Sequence, residues 1–185
     1  MLKKIWHFIW HDNSIWSWLV NAALAFLIVK FLIYPGLGLL LGTSYPVVAV
    51  VSSSMHHTSD FDTWWLEKGD WYEQQGFKKS QFTNWKFPNG FNKGDIMVLR
   101  NSATAGIGDV IVFRGNSPNP IIHRVISIQE EQGKVFYTTK GDANSDSSKE
   151  LGEMHISQEK VLGKAVFRIP YLGWIKIGFT ELIRR

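Results

Sequence analysis

Three short segments of the sequence carry side chains that together are suited to nucleophilic catalysis. Ser54 closes a run of three serines, His123 lies within Ile121–Ile126, and Asp142 lies within Lys140–Asn144. A serine hydroxyl is a weak nucleophile at neutral pH and needs an adjacent base. An imidazole, with a reference pKa of about 6.5, can accept that proton, and a carboxylate can hold the ring in the required tautomer. The set predicts a serine hydrolase with Ser54 as nucleophile and His123 as general base.

A predicted hairpin brings the imidazole close to one carboxylate. Two strand-like segments, Ile121–Gln129 and Lys134–Thr139, flank an apparent four-residue loop. With that loop His123 faces Lys140 and lies diagonal to Asp142 on the same face of the sheet, about 7 to 8 Å away. Small backbone adjustments would then let Asp142 accept a hydrogen bond from the ring.

An apolar run of membrane-spanning length precedes these segments. Residues 15–34 are interrupted only by Ser17, Asn21 and Lys30. A helix of that length, at about 1.5 Å per residue, matches a hydrocarbon core of about 30 Å. The run is too long for a cleavable signal peptide, and no small-residue cleavage site follows it. The sequence therefore predicts one retained transmembrane anchor in contact with the lipid bilayer.

Basic residues set the expected orientation of that anchor. Lys3 and Lys4 precede the span, and the next basic residue past it is Lys68. Residues 1–14 are therefore expected in the cytoplasm, with the rest of a single-pass protein on the outer face of the cell membrane. Because an extended chain covers at most about 3.5 Å per residue, a nucleophile at Ser54 would work near the membrane surface, on membrane-borne substrates.

Residues 35–175 are predicted to form one mostly β domain. Gly36, Gly38, Gly42 and Pro46 are expected to break any helix, and Val47–Val51 is typical of a buried strand. Further strands are predicted after Gly94-Asp95, after Gly108-Asp109, in both arms of the hairpin and at Val161–Ile169. We expect Asp95 and Asp109 to bond to turn backbone rather than to take part in catalysis.

Residues 56–92 form a long aromatic insertion in this domain. Such a density of rings is typical of a small packed cap, because disordered segments are poor in aromatic residues. A helix is predicted over residues 59–75, with Ser59 or Asp60 as its cap. The adjacent His56-His57 pair is unsuited to holding a metal, since neighbouring side chains diverge.

The composition argues against nucleic-acid and cysteine-dependent functions, and the carboxyl-terminal residues are too few for a second membrane span. The net charge is +4, but Lys and Arg are interleaved with acids and form no basic stripe, so no nucleic-acid partner is predicted. The absence of cysteine excludes disulfides, thiol catalysis and thiolate metal sites, and no cofactor or metal is predicted. Residues 176–185 are predicted to form a basic surface tail, too short to span a bilayer.

The order of the motifs resembles a type I signal peptidase of the archaeal and endoplasmic-reticulum branch, across residues 15–175. The resemblance rests on five motifs in their order along the chain: Ser52-Ser53-Ser54-Met55, Gly94-Asp95-Ile96, Gly108-Asp109-Val110, His123-Arg124-Val125 and Gly141-Asp142-Ala143-Asn144. It implies a signal-peptidase-like β domain and a membrane-bound serine endopeptidase that removes signal peptides from exported preproteins after a small residue. The protein-export channel is then a candidate partner.

The same resemblance implies an oxyanion hole and leaves open which aspartate orients His123. The family's oxyanion hole maps onto the Ser54 backbone N–H and the Ser52 hydroxyl. The family commonly places a second aspartate several residues after its Gly-Asp, and here Asp146 follows Asp142 sooner than usual, so either aspartate is a candidate to orient His123. Two other functions stay open: a catalytically inactive membrane-tethered peptide-binding module, and an adaptor whose aromatic insertion binds a partner.

Overall fold

The amino-terminal part of the chain is helical in the computed structural model, which describes residues 2–101 and 105–183. Helix α1 spans Leu2–Trp10, α2 spans Ile15–Ile28, and α3 spans Tyr34–Leu41. A single π-helical turn, Val29–Ile33, joins α2 to α3. The resulting 27-residue helix is long and apolar enough to cross a membrane, judged by its length and composition.

The π-helical turn accommodates a proline inside this long helix. Pro35 has no N–H, and its ring would clash with the carbonyl four residues earlier in a regular α-helix. The N–H of Tyr34 instead donates to the carbonyl of Val29, five residues back. The prediction that Gly36 and Gly38 break the helix is wrong, because both lie inside α3. Gly42, also among the predicted breaks, is where the chain leaves the helix, with a φ of +66°.

The chain from Leu41 onward forms a second compact unit built on one antiparallel sheet. The strands are β1 Val47–Ala49, β2 Ile96–Arg100, β3 Val110–Phe113, β4 Ile121–Glu131, β5 Lys134–Lys140, β6 Ile156–Ser157 and β7 Val161–Ile169. Their order in the sheet is β1-β2-β7-β3-β4-β5-β6. The prediction of a mostly β domain is confirmed.

Both Gly-Asp turns launch strands, as predicted. Asp95 Oδ2 accepts a hydrogen bond from the Asn92 N–H at 2.8 Å, and Asp109 Oδ2 accepts one from the Gly106 N–H at 2.8 Å. Asp109 also pairs with Lys164 at 3.0 Å. The two carboxylates therefore brace turns, as expected of an aspartate that precedes a strand.

The register of the β4–β5 hairpin differs from the prediction. The connecting turn contains only Gln132 and Gly133, both at positive φ, so Glu131 pairs with Lys134. A bulge between Val125 and Ser127 shifts the register once more. Arg124, and not His123, is therefore opposite Lys140. A slip of one residue moves a side chain to the other face of the sheet, which decides what His123 and Asp142 contact.

The aromatic insertion folds as a helical cap on the sheet. Helix α4, Phe61–Gln74, begins at Asp60, whose side chain accepts from the N–H groups of Asp62 and Thr63, and a short helix α5 follows at Lys79–Phe82. Four buried rings form its centre and pack against Ile126 of β4: Trp64, Trp65, Tyr72 and Phe82. The predicted helix and packed cap are confirmed.

The last described element is helix α6, Trp174–Ile183. It begins two residues before the predicted tail of residues 176–185, and Arg184 and Arg185 of that tail lie outside the described residues. Ile177 is buried, whereas Trp174 and Ile175 are exposed. The tail is thus a helix along the part that the structure describes.

Candidate active site

Ser54 lies just after strand β1, where the chain turns at the edge of the sheet. Its hydroxyl Oγ is 2.8 Å from Nε2 of His123. The Ser54 carbonyl accepts a hydrogen bond from the N–H of Ala143 at 2.8 Å, so the Gly-Asp-x-Asn segment holds the serine from the other side. The structure therefore brings the predicted nucleophile and the predicted base into direct contact.

His123 projects from β4 and is almost fully buried, at 3% exposure. Strand β3 fixes its backbone, since His123 pairs with Ile111 across the ladder. Gly141 allows the imidazole its close approach to Ser54. A Cβ at position 141 would lie 2.9 Å from the His123 Nε2 and 2.8 Å from the Ser54 carbonyl oxygen. A side chain there would clash with the imidazole and with the backbone of Ser54.

The carboxylate that contacts the imidazole belongs to Glu153. Its Oε1 is hydrogen-bonded to Nδ1 of His123, on the side of the ring away from Ser54. Its Oε2 accepts from the N–H of Ser148 at 2.6 Å, and its carbonyl accepts from the N–H of Thr139 in β5 at 2.9 Å. Glu153 has no exposed surface. Both of its oxygens are thus held in place by the fold.

No sequence motif marked Glu153 as a functional residue. It lies 30 residues after His123. The only local signal is the turn at Gly152, with φ of +73°, shortly before the edge strand β6. After that turn the chain runs alongside β5, which brings Glu153 to the imidazole of His123. The contact between Glu153 and His123 depends on the order of the strands in the sheet and cannot be read from the linear sequence.

Asp142, one of the two predicted orienting acids, contacts other partners. It forms a bidentate pair with Arg124, with Nε to Oδ1 at 2.8 Å and Nη2 to Oδ2 at 2.6 Å. It also accepts from the Tyr72 hydroxyl at 3.0 Å and lies 3.1 Å from Nε2 of His57. Burial alone raises the pKa of Asp142, but Arg124 and His57 outweigh it and hold that pKa well below its usual range.

Asp146, the other predicted acid, is exposed and accepts a hydrogen bond from the N–H of Ser147 at 2.7 Å. Neither aspartate is hydrogen-bonded to His123 in the described structure. The hairpin register gives the reason: Arg124 is opposite Lys140, so the diagonal neighbour of Asp142 on its own face is Arg124. The geometry therefore does not support the predicted orienting role for either residue.

Arg124 connects the catalytic strand to the aromatic insertion. Its five N–H donors are all used: two on Asp142, and three on the backbone carbonyls of Lys86, Phe87 and Gly108. Its guanidinium also lies over the rings of Phe82 and Trp85. The insertion thus covers the Arg124–Asp142 ion pair and supplies two of its backbone acceptors, and Gly108 supplies the third. Full hydrogen bonding is what a buried pair requires.

Lys140 is buried against the same insertion. Its ammonium lies 4.8 Å from the ring centres of Trp71 and Tyr72 and donates to the Gly141 carbonyl at 3.1 Å. Burial lowers the pKa of Lys140 to about 8, and the neighbouring charge of Asp142 partly opposes that shift.

A cleft of about 400 Å³ opens in front of Ser54. It is lined by Ala49, Val51, Ser52, Ser54, Ser117, Asn119, Pro120, Ile121, Ile122, His123, Asn144 and Leu151. Within this cleft the hydroxyl of Ser52 lies 3.1 Å from that of Ser54. The Ser52 hydroxyl therefore lies beside the nucleophilic oxygen of Ser54.

The described residues contain no group of three or more His, Cys, Asp or Glu side chains that could hold a metal ion. His56 and His57, the adjacent pair, bind different partners: Nδ1 of His56 lies 2.5 Å from Oδ1 of Asn92, and His57 contacts Asp142.

The fold and this site define a class of protein: an antiparallel β protein with a hydrolase-type Ser–His–carboxylate arrangement, preceded by a helix of membrane-spanning length. No protein-family model matches the chain. The chain is 28% identical over 157 residues to the signal peptidase complex catalytic subunit SEC11C of Homo sapiens, which covers 81% of this chain and 65% of that protein.

Two further relatives carry the same name. Identity is 29% over 141 residues to the catalytic subunit sec11 of Schizosaccharomyces pombe, covering 74% of this chain and 68% of that protein. It is 32% over 97 residues to SEC11 of Plasmodium falciparum, covering 50% and 53%. The chain thus spans about half to two thirds of the length of these relatives. It is a homologue of signal peptidase complex catalytic subunits, which confirms the resemblance drawn from its motifs.

Proposed function

We propose that this protein is a membrane-anchored serine endopeptidase that removes signal peptides from preproteins. The observation that carries the proposal is the 2.8 Å contact between Ser54 Oγ and His123 Nε2, both of which line a cleft. A nucleophile within hydrogen-bond reach of its base is the arrangement that covalent catalysis needs. The names of the relatives give the substrate class, a preprotein with a signal peptide.

The reaction follows from the positions of these atoms. His123 Nε2 takes the proton of Ser54 as Oγ attacks the scissile carbonyl carbon, and the carbonyl oxygen becomes an oxyanion. The Ser52 hydroxyl and the Ser54 backbone N–H are proposed to stabilise that charge. His123 then gives the proton to the departing amine. A water molecule, deprotonated by the same imidazole, hydrolyses the acyl-enzyme and regenerates Ser54.

Glu153 is proposed as the residue that orients the base. With a carboxylate on Nδ1, the imidazole carries its proton on that side and presents a free Nε2 lone pair to Ser54. The negative charge also stabilises the imidazolium formed during attack. Asp142 is proposed instead to hold Arg124 and the Gly-Asp-x-Asn segment in place, one step removed from the reaction.

The membrane setting of the enzyme is also a proposal. The 27-residue apolar helix would anchor the protein in the cell membrane, with residues 1–14 in the cytoplasm and the β domain on the outer face. The anchor would keep the catalytic domain near the bilayer, where a signal peptide emerges. The relatives are named as subunits of a complex, so partner subunits and the export channel are candidates to bind this chain.

The inactive peptide-binding module is the weaker alternative. A protein that only binds peptide needs the cleft but has no need of a buried carboxylate on Nδ1 or of a histidine in contact with the serine. The three groups form one continuous chain of hydrogen bonds, Ser54 to His123 to Glu153. That continuity favours catalysis.

The test is cleavage of a labelled preprotein by the protein reconstituted in vesicles, scored by the amino terminus of the new product. Ser54→Ala should remove cleavage while the protein stays folded, because the change deletes only the nucleophilic oxygen. Ser53→Ala is the matched control, since Ser53 is exposed and adjacent. His123→Lys should also be inactive, because lysine has no second nitrogen for Glu153 to orient. Substantial turnover by the Ser54→Ala protein would exclude the proposed nucleophile.

A further inference from the structure

The first helix of the chain has one apolar and one basic face. Leu2, Ile5 and Trp6 follow the spacing of one helical stripe, and all three are exposed, at 83%, 50% and 62%. Trp10 extends the stripe, with its ring centre 5.6 Å from that of Trp6. The opposite face carries Lys3, Lys4 and His7, and His11 follows directly after the helix. Large exposed apolar residues on a helix with a basic opposite face are typical of helices that lie in a membrane surface.

Two polar side chains of the long helix fix α1 in place. The Ser17 hydroxyl donates to the Phe8 carbonyl at 2.6 Å, and the Asn21 side-chain amide donates to the Ile9 carbonyl at 2.8 Å. Both carbonyls belong to the last turn of α1, where backbone acceptors have no partner within their own helix. These contacts explain why two polar residues interrupt the apolar run. Each one caps the end of α1 and at the same time gives its own side-chain donor a hydrogen-bond acceptor. Helix α1 is held against α2 and is no loose tail.

The length of the apolar helix agrees with this arrangement. From Ile15 to Leu41 it measures about 40 Å at about 1.5 Å per residue, which exceeds a hydrocarbon core of about 30 Å. The part from Asn21 to Leu41 alone accounts for about 30 Å. The first turns of α2 are then left for the headgroup layer, at the level of α1. The two polar residues would thus avoid the centre of the bilayer.

We infer that α1 lies in the membrane surface, with its apolar stripe in the acyl boundary of the leaflet and its lysines on anionic phospholipid headgroups. The occupant of the exposed stripe is therefore lipid. Three observations select it: α1 precedes a helix of membrane-spanning length by four residues, its opposite face is basic, and the Ser17 and Asn21 contacts hold α1 against the first turns of that helix. The inference rests on the membrane anchoring proposed above, and not on the peptidase activity.

The sequence has no cysteine, so single-cysteine spin labels can report depth in the full-length protein. The protein is reconstituted in vesicles of phosphatidylcholine, alone or mixed with phosphatidylglycerol. Labels are placed by Trp6→Cys and Lys4→Cys on the two faces of α1, by Leu27→Cys in the span, and by Lys134→Cys at the exposed β4–β5 turn. Collision rates with oxygen, which concentrates in lipid, and with a water-soluble nickel chelate are compared.

In the mixed vesicles the oxygen-to-nickel ratio at position 6 should exceed that at position 134 several-fold and approach that at position 27, while position 4 should stay near the aqueous value. Lys3→Gln with Lys4→Gln should reduce the ratio at position 6 in the mixed vesicles and leave it unchanged in phosphatidylcholine alone. Ser17→Ala with Asn21→Leu should reduce it in both.

Nickel access at position 6 equal to that at position 134 would overturn the inference, as would a ratio that does not respond to lipid charge or to the lysine changes. Low nickel access at position 6 together with spin–spin broadening would show that a second copy of the chain, and not lipid, covers the stripe. That result would also overturn the inference. An aqueous value at position 27 would instead refute the membrane span on which the inference rests. None of these collision measurements depends on cleavage activity. A failure of the proposed peptidase function would therefore appear only in the preprotein cleavage assay.

Discussion

Replacing Glu153 by glutamine tests the proposed site most directly. The glutamine side chain has nearly the same shape, so the change removes the charge and exchanges one oxygen for an N–H₂ group. Glu153 accepts on both oxygens, from His123 Nδ1 and from the Ser148 N–H. An amide has only one oxygen and must leave one of these partners facing its N–H₂ group.

The two orientations of that amide have different consequences. If the N–H₂ faces His123, Nδ1 becomes an acceptor, the ring proton moves to Nε2, and His123 no longer accepts the Ser54 proton. If the N–H₂ faces Ser148, the tautomer is correct, but two buried donors face each other at a cost of about 1 to 3 kcal/mol. The productive orientation is then about 10- to 100-fold rarer, since about 1.4 kcal/mol is a factor of ten.

Loss of the negative charge adds to this effect. A hydrogen bond between a carboxylate and an imidazolium contributes about 1.5 to 3 kcal/mol, so its loss costs roughly another 10- to 100-fold in the reaction. We expect Glu153→Gln to lower kcat by about 10²- to 10⁴-fold, with a stability loss of only about 1 to 2 kcal/mol.

The assay compares three variants by preprotein cleavage and by denaturant unfolding. Asp142→Asn should act first on stability, by about 3 to 5 kcal/mol, because it leaves the Arg124 charge buried without its partner. Asp146→Asn should match the unmodified protein in both measurements, since Asp146 is exposed. A folded Glu153→Gln protein with kcat within tenfold of the unmodified protein would refute the orienting role and leave a Ser–His dyad.

Three other changes test neighbouring parts of the site. Ser52→Ala should lower kcat by about 10²- to 10³-fold with little change in KM, as loss of one oxyanion donor does, and an unchanged kcat would exclude Ser52 from that role. Gly141→Ala should abolish cleavage in a folded protein, because the added methyl would contact both Ser54 and His123; full activity would show that the close approach at Gly141 is unnecessary. Burial lowers the pKa of Lys140 from 10.5 to about 8, so the folded state loses that proton before the unfolded state does. The free energy of unfolding should therefore gain a contribution that rises from about pH 8 to about pH 10.5, and Lys140→Met should remove it; identical pH profiles in urea unfolding would contradict this.

The sequence by itself determined the elements that depend on local chemistry. The Gly-Asp turns predicted two strand starts because aspartate bonds to turn backbone wherever it precedes a strand, and β7 was predicted from end to end. Asp60 was one of two predicted caps of α4, and the density of rings predicted a packed insertion. Ser54 and His123 were selected because their chemistry is recognisable in their motifs.

Only the tertiary structure decided which carboxylate meets the imidazole. A turn shorter than predicted and a bulge beyond Val125 change the register by one residue near His123, and one residue is enough to exchange the two faces of a strand. Asp142 therefore meets Arg124, while a loop returning beside β5 brings Glu153 to His123. Sequence spacing does not encode that return, because the contact arises from the order of the strands in the sheet.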